Sequence, residues 1–192
     1  QNMQQFGQQV IVAFNRHDFD RPEEIKFVSD WCAINGTRFA INEGYAEGGD
    51  GATDLAAQVI EAIDKKESKP LEFTYALTDT PEEKLRKVVT SVYRGNSISL
   101  SSKAASALKK IAGSEEEQYP VCIAKTQYSF TQNAAEVGVA EGFNIHFEDI
   151  IVNRGAEFLV AVAGDMLRMP GLPKVPQAGK IQIVDGKIEG LL

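Results

Sequence analysis

Over the first 66 residues, short apolar β-branched runs alternate with longer stretches of helical period, and that order restricts the chain to a small set of layered folds. Gln9-Val-Ile-Val-Ala-Phe14 is apolar without interruption after its first residue, the pattern of a strand covered on both faces. A polar turn, Asn15-Arg-His-Asp-Phe-Asp20, follows, and Pro22-Glu-Glu opens a helix with proline and acids in its first turn. Ile25, Val28, Trp31 and Cys32 share one face of that helix, which Asn35-Gly36 closes. Thr37–Asn42 is the next strand, residues 43–51 form a Gly-rich loop, and Ala52–Lys66 is a second helix with Leu55, Val59, Ile60 and Ile63 as its apolar stripe. Strand, loop, helix, strand, loop, helix predicts a parallel sheet with right-handed crossovers.

The remainder is less regular. Leu71–Leu77 reads as an edge strand. Thr80-Pro-Glu-Glu83 carries the reciprocal signal of a helix start, with Thr80 as the cap and Glu83 three residues on, and that helix is expected to run to about Tyr93. Another helix starts at Ser101 or Ser102 and continues to Ile111; Pro120–Ala124 is a third buried strand. Residues 144–152 and 157–163 flank Asn153-Arg-Gly and are expected to pair as antiparallel strands. The tail carries Asp185-Gly186 between alternating apolar residues, a strong hairpin signal. The fold class expected is therefore α/β: a mostly parallel sheet with flanking helices, antiparallel strands and a C-terminal hairpin. Residues 1–70 form a βαβ subdomain, and residues 71–192 a helical insert with a C-terminal α/β subdomain, the two making one compact unit.

Composition removes several classes of function. A formal net charge of −7 argues against a nucleic-acid partner, since phosphate backbones are bound by basic faces. No apolar run approaches the roughly 18 residues that span a bilayer, and the polar, uncharged start Gln1–Gln9 is unlike a secretory signal; the expected location is the cytoplasm. Cys32 and Cys122 are expected to be reduced core thiols. With His17 and His146 as the two histidines and no paired-cysteine motif, no metal site is expected; His146, in an alternating strand, reads as a packed or surface strand residue. A G-x-S-x-G nucleophile elbow is absent. Ala178-Gly179-Lys180-Ile181 lacks the first glycine and the hydroxyl of a phosphate-binding P-loop, and no other stretch supplies one.

In an open parallel sheet, ligands bind beyond the carboxyl ends of the strands. The loops at 15–20 and 43–51 leave neighbouring strands at that end, which places His17 and Tyr45 on one rim. Two flat side chains there can sandwich a flat heterocycle, each contributing on the order of 1–3 kcal/mol by analogy with base stacking; the plainer reading is that both are ordinary loop residues. Gly48 and Gly49, ahead of a helix, can turn backbone N–H groups toward an anion or simply make a flexible strand-to-helix turn. Arg16 suits a ligand carboxylate or phosphate, or pairs with Asp18 or Asp20. Lys125, Thr126 and Gln127 directly follow a buried strand, where ligand-orienting polar groups are expected. Asp165 stands at a second strand end, as a ligand-orienting group or as a turn or helix cap. Met169–Pro176, with three prolines and a glycine, is a stiffened loop that closes a cleft or braces two subdomains.

Pro120-Val-Cys-Ile-Ala-Lys-Thr-Gln-Tyr-Ser-Phe130, taken with Gly164-Asp-Met-Leu-Arg-Met-Pro-Gly-Leu-Pro-Lys-Val-Pro176, closely resembles the C-terminal part of the formate–tetrahydrofolate ligases. The resemblance extends over nearly all of residues 6–192 and is weaker at Asn153–Phe158, where the family tends toward Gly-Ala-Gly-Phe. It implies an enzyme family that joins formate to tetrahydrofolate with ATP, through formyl phosphate, to give 10-formyltetrahydrofolate. It implies tetrahydrofolate as the small-molecule partner, with ATP and Mg held in the full-length family by a P-loop upstream and not tightly by this chain. The family clamps the pterin between a Phe and a Trp, in patterns resembling Asn15-Arg16-His17 and Tyr45-Ala46-Glu47-Gly48-Gly49; both positions are planar here but altered, and the smaller pair stacks less area. The chain alone is not expected to complete the reaction. The alternative is a non-catalytic folate-binding or interaction module that associates with its own copies or a full-length ligase, and the blandest is a fold that binds nothing.

Overall fold

The computed structural model describes residues 2–164, 175–184 and 186–189. The expected alternation is present. Strand β1 (Ile11–Asn15), helix α1 (Pro22–Ile34), strand β2 (Arg38–Asn42), the short helix α2 (Gly44–Glu47) and helix α3 (Thr53–Asp64) follow in order. β1 and β2 are parallel, in register from Ile11 opposite Arg38 to Asn15 opposite Asn42. Val12, Phe14, Phe39 and Ile41 point to one face and Ile11, Ala13, Arg38 and Ala40 to the other, because the pleat alternates. α1 covers the first face, where Ile25 and Ser29 line a groove with Phe39 and Ile41. α3 lies on the second, held by an Arg38 guanidinium that meets Glu61 at 2.8 Å and Glu67 at 2.6 Å.

Few side chains among residues 2–70 are buried. Cys32 and Ala40 reach the interior, whereas Trp31 and most of the α3 stripe, expected inside, are exposed, Trp31 at 42%, Ile60 at 59% and Ile63 at 68%, with Leu55 half-buried. The Gly-rich loop is not irregular either; it folds into α2 and a 3-10 turn at Asp50–Ala52.

The main hydrophobic core lies among residues 85–163. Helix α4 (Pro81–Ser91) starts with the expected box: Thr80 Oγ1 accepts from Glu83 N–H at 3.3 Å, and Glu83 Oε2 accepts from Thr80 N–H at 2.9 Å. Strand β3 (Ser97–Leu100), helix α5 (Ser102–Ile111), strand β4 (Val121–Ala124) and strands β5 (Asn144–Phe147), β6 (Asp149–Asn153) and β7 (Phe158–Val162) complete it, and β8 (Gln182–Val184) pairs with β9 (Lys187–Glu189) as the expected hairpin. β3 was not anticipated. Its Ser-Ile-Ser-Leu alternation turns Ile98 and Leu100 against the core while the serines face outward. β7 runs between β4, parallel, and β6, antiparallel. Leu85, Val89, Ile145, Phe147 and Leu159 are sealed between α4, α5 and the strands, each worth roughly 1.5–3 kcal/mol of burial.

Three further expectations are corrected. Residues 144–152 are not one antiparallel strand: the run changes partner at Glu148, so that β5 is parallel to β3 while β6 is antiparallel to β7. Leu71–Leu77 is not a strand. Its ends are drawn elsewhere, by Glu72 N–H bonding to Phe6 O at 3.1 Å and by the Asp79 carboxylate taking Ala76 N–H at 2.9 Å, and the Tyr75 hydroxyl accepts Val121 N–H at 3.0 Å instead. Cys122 is exposed, and only Cys32 is a core thiol. Lys84, unremarkable in sequence, is fully buried; its ammonium donates to Glu117 O at 2.8 Å and Tyr119 O at 3.0 Å, and burial lowers its pKa. No helix among the described residues is long and apolar enough to cross a membrane.

The Arg38 network makes stability acid-sensitive. Hydrogen bonds from Arg38 first, then Lys65, hold the Glu61 carboxyl at about 2 rather than 4.5, and Arg38 lowers Glu67 as well. A depressed carboxyl pKa contributes stability that is complete above its unfolded value and is lost as pH falls through the folded one. The melting temperature should therefore be level above the ordinary carboxylate range and decline as pH approaches about 2. Arg38→Gln should flatten that decline between these limits; an identical acid profile in the variant would contradict the assignment.

Candidate functional site

The carboxyl ends of β1 and β2 are joined by a set of polar contacts that fixes the two loops against each other. Arg16 N–H donates to Asn42 O at 3.0 Å, continuing the ladder by one step. The Asn42 side chain donates to Asn15 Oδ1 at 3.3 Å and accepts from Gly44 N–H at 3.2 Å, which starts α2. Arg16 reaches across to Glu43 at 2.7 Å. Its partner is thus an acid of the opposite loop, not Asp18 or Asp20. Asp20 closes its own loop instead, its carboxylate accepting from His17 N–H at 2.7 Å.

His17 and Tyr45 therefore follow the same, carboxyl end of one parallel pair. Tyr45 stands on α2 with 68% of its surface free. His17 stacks on Phe19, ring centroids 5.6 Å apart and planes within 5°. Phe19, itself 82% exposed, is the rim residue that sequence reasoning passed over; an aromatic two residues beyond His17, on the same side of a tight turn, was the available signal. Gly48 takes φ +62, which only glycine adopts freely, and its N–H closes α2 onto Gly44 O at 3.1 Å. Gly49 is in ordinary helical conformation. These two glycines set the exit of α2, and the Gly48 N–H already has a partner.

A second cluster lies at the carboxyl end of β4. Lys125, Thr126 and Gln127 line a pocket of about 390 Å³ together with Tyr93, Tyr128 and Phe130. The Lys125 ammonium donates to three carbonyls of its own loop, Thr126 O at 3.0 Å, Thr131 O at 3.0 Å and Ser129 O. It also sits 4.9 Å from the centre of the Tyr93 ring. Burial lowers the Lys125 pKa and raises that of the Tyr93 hydroxyl. The lysine thus organises the loop whose side chains line the pocket. Thr126 Oγ1 accepts from Tyr128 N–H at 3.3 Å, and Gln127 is exposed. Among the described residues, no hydrogen bond or ion pair joins this cluster to the rim at β1 and β2. Asp165 and residues 169–174 of the proline-rich loop lie outside the described residues.

His146 lies on the outward face of β5, its Nδ1 2.8 Å from Ser99 Oγ and its Nε2 3.6 Å from Glu148. Among the described residues no three His, Cys, Asp or Glu side chains are grouped to hold a metal ion.

A family model for formate–tetrahydrofolate ligase matches residues 1–192. The chain belongs to the formate–tetrahydrofolate ligase family. Curated relatives carrying that name include proteins of Parabacteroides distasonis, 48% identical over 191 residues, and of Porphyromonas gingivalis, 49% identical over 190. The match to a Limosilactobacillus fermentum relative is 42% over 192 residues. The alignments cover 99–100% of this chain but 34% of each of these relatives, so the chain spans about a third of the length of the formate–tetrahydrofolate ligases it matches. The resemblance read from Pro120–Phe130 and Gly164–Pro176 identified the right family.

Proposed function

We propose that this chain carries the tetrahydrofolate-facing part of a formate–tetrahydrofolate ligase, with the pterin lying at the carboxyl ends of β1 and β2 between His17 and Tyr45. The observation that supports the reading best is the in-register pair ending at Asn15 and Asn42, whose two loops are tied by Arg16 and Glu43. That brace presents the two aromatic rings from fixed backbone, so stacking costs little ordering entropy. Phe19 backs His17 and restores part of the flat area that imidazole lacks relative to a larger ring. Gly48 and Gly49 aim Tyr45, and Arg16 offers its remaining N–H groups to polar edges of the ligand. Lys125, Thr126, Gln127 and Asp165 make up a second ligand-orienting group at strand ends.

The role of these residues is to bind and orient the acceptor. ATP with Mg, and the activation of formate as formyl phosphate, belong to the rest of the ligase polypeptide, and this chain as the C-terminal, folate-binding segment does not complete the reaction alone. In this division, residues 1–70 supply the rim and residues 71–192 its support.

A fluorescence titration with tetrahydrofolate tests the reading. Binding should saturate, and Tyr45→Ala should weaken it by about 5- to 150-fold, the equivalent of 1–3 kcal/mol of stacking. Equal affinity in the variant would place the ligand elsewhere. In a coupled assay this chain by itself should give no ATP-dependent formyl transfer, and turnover would contradict the division of labour.

A further inference from the structure

Two strands of this protein have nearly the same composition and opposite surroundings. β7, Phe-Leu-Val-Ala-Val, lies between two strands, and Leu159, Val160 and Ala161 are buried. β1, Ile-Val-Ala-Phe-Asn, is equally unpatterned, yet no residue of it is buried and, among the described residues, it pairs on one side alone. Apolar runs without alternation are the mark of interior parallel strands. A two-stranded parallel pair is not a self-sufficient sheet.

The open side of β1 can be specified atom by atom. Arg16 N–H bonds to Asn42 O, and in a parallel ladder alternate residues face the same neighbour. Val12 and Phe14 therefore face β2, and Ile11, Ala13 and Asn15 turn their N–H and C=O groups to the other edge. Just before β1 that edge is occupied: Lys69 N–H donates to Gly7 O at 2.8 Å and Gln9 N–H to Ser68 Oγ at 3.1 Å. Beyond Gln9 it is bare among the described residues. A groove of about 590 Å³ runs beside it, lined by Gln9, Ile11, Val59, Ile63, Lys66 and Ser68. The exposed apolar stripe of α3 forms its wall, with Ile63 68% exposed.

Topology points the same way. α1 and α3 lie on opposite faces of the pair. With right-handed crossovers, a helix that leaves β2 on the face opposite α1 leads back past β1, not onward from β2. The fold therefore places its next strand at the open edge of β1. This chain returns there with Ser68 and Lys69 but does not continue as a strand.

We propose that the open edge of β1 takes a further parallel β-strand from the remaining two-thirds of a formate–tetrahydrofolate ligase polypeptide, whose apolar residues fill the groove under α3. The length of the curated relatives supplies that polypeptide, since this chain covers 34% of them. A second copy of this chain fits less well, because two β1 edges related by a two-fold axis meet antiparallel, and the unpatterned run is of the parallel kind.

The test is amide exchange by NMR on this chain, alone and with the separately produced remaining two-thirds of the Parabacteroides distasonis ligase. Alone, Ile11, Ala13 and Asn15 should exchange quickly while Val12 and Phe14 are protected. In the complex the first three should slow by at least about tenfold. Ala13→Pro removes an outward N–H and leaves the β2 ladder whole; it should melt close to the parent yet lose at least about tenfold in affinity for the complement. Ile63→Lys, outside the core, should lose affinity likewise. Unchanged exchange in the complex, full affinity in both variants, or protection that grows with the concentration of this chain alone would overturn the proposal, the last in favour of a second copy. Should the complement not fold by itself, the corresponding amides of the intact Parabacteroides distasonis ligase decide: protection is expected there, and rapid exchange would refute the assignment.

Discussion

Lys125→Met should lower the stability of the chain by about 2–4 kcal/mol, since it strips the donor from three converging backbone carbonyls in one step. Methionine matches the length of lysine and fills similar volume, so the loss reports the ammonium and not a cavity. The carbonyls of Thr126, Ser129 and Thr131 then face one another with no positive charge between them. Water rescues part of that loss, because the loop is only partly covered, and this limits the effect to a few kilocalories. Contact with the Tyr93 ring is forfeited as well, worth about 0.5–2 kcal/mol for a lysine over an aromatic face. For a chain of this length the melting temperature should fall on the order of 10 °C. Lys125→Arg should recover little, because a planar guanidinium cannot aim donors at three carbonyls arranged around a point. An unaltered melting temperature in Lys125→Met, measured by scanning calorimetry, would mean that the loop stands without its lysine.

Gly51→Ala should be the most damaging small change at the rim. A Cβ there would come within 2.6 Å of Glu43 C and O and 3.0 Å of Gly44 N, all backbone atoms that cannot swing aside. The hydrogen bond from Glu43 N–H to Gly51 O at 2.9 Å closes the loop through that same contact. The loop must open, α2 shifts, and Tyr45 and the Glu43 partner of Arg16 move with it. A cost of about 1–3 kcal/mol in stability is expected from overpacking of this kind, together with a larger loss of tetrahydrofolate affinity than Tyr45→Phe produces. Gly49→Ala is the control: nothing lies within 4 Å of its added Cβ and its φ is −61. Equal behaviour of the two variants would show that the close approach at Gly51 does not govern the loop.

What could be read from the residues alone divides along the range of the interactions. The start of α4 was legible because Thr80 and Glu83 are three residues apart and satisfy each other. The exit of α1 at Asn35-Gly36 and the β8–β9 hairpin were legible from equally short-range signals, as was the parallel pairing of β1 and β2 from alternation. Expectations failed where the deciding partner is distant in sequence. Nothing near Arg16 announces that it will meet Glu43 rather than Asp18 or Asp20. Nothing in 144–152 marks Glu148 as the place where one run passes from a parallel to an antiparallel neighbour. Lys84 is buried because α4 packs under residues 117–119, and Cys122 is exposed although its strand is apolar. The α3 stripe failed differently: its period was read correctly, but Val59, Ile60 and Ile63 are exposed among the described residues, and a period says which residues share a face, not what covers it. At the candidate site, the places of His17 and Tyr45 just beyond the ends of β1 and β2 followed from the strand ends, whereas the stacking of Phe19 and the carbonyl cage of Lys125 depend on loop geometry that no periodicity encodes.

The placement of the pterin is tested most directly by mapping ¹H–¹⁵N shifts of this chain during addition of tetrahydrofolate. Amides of residues 16–20 and 44–48 should move together in a saturable way, while those of residues 125–131 move less and Tyr45→Ala suppresses the whole set. Shifts confined to the Lys125 pocket, or none up to millimolar ligand, would contradict a folate rim at the ends of β1 and β2.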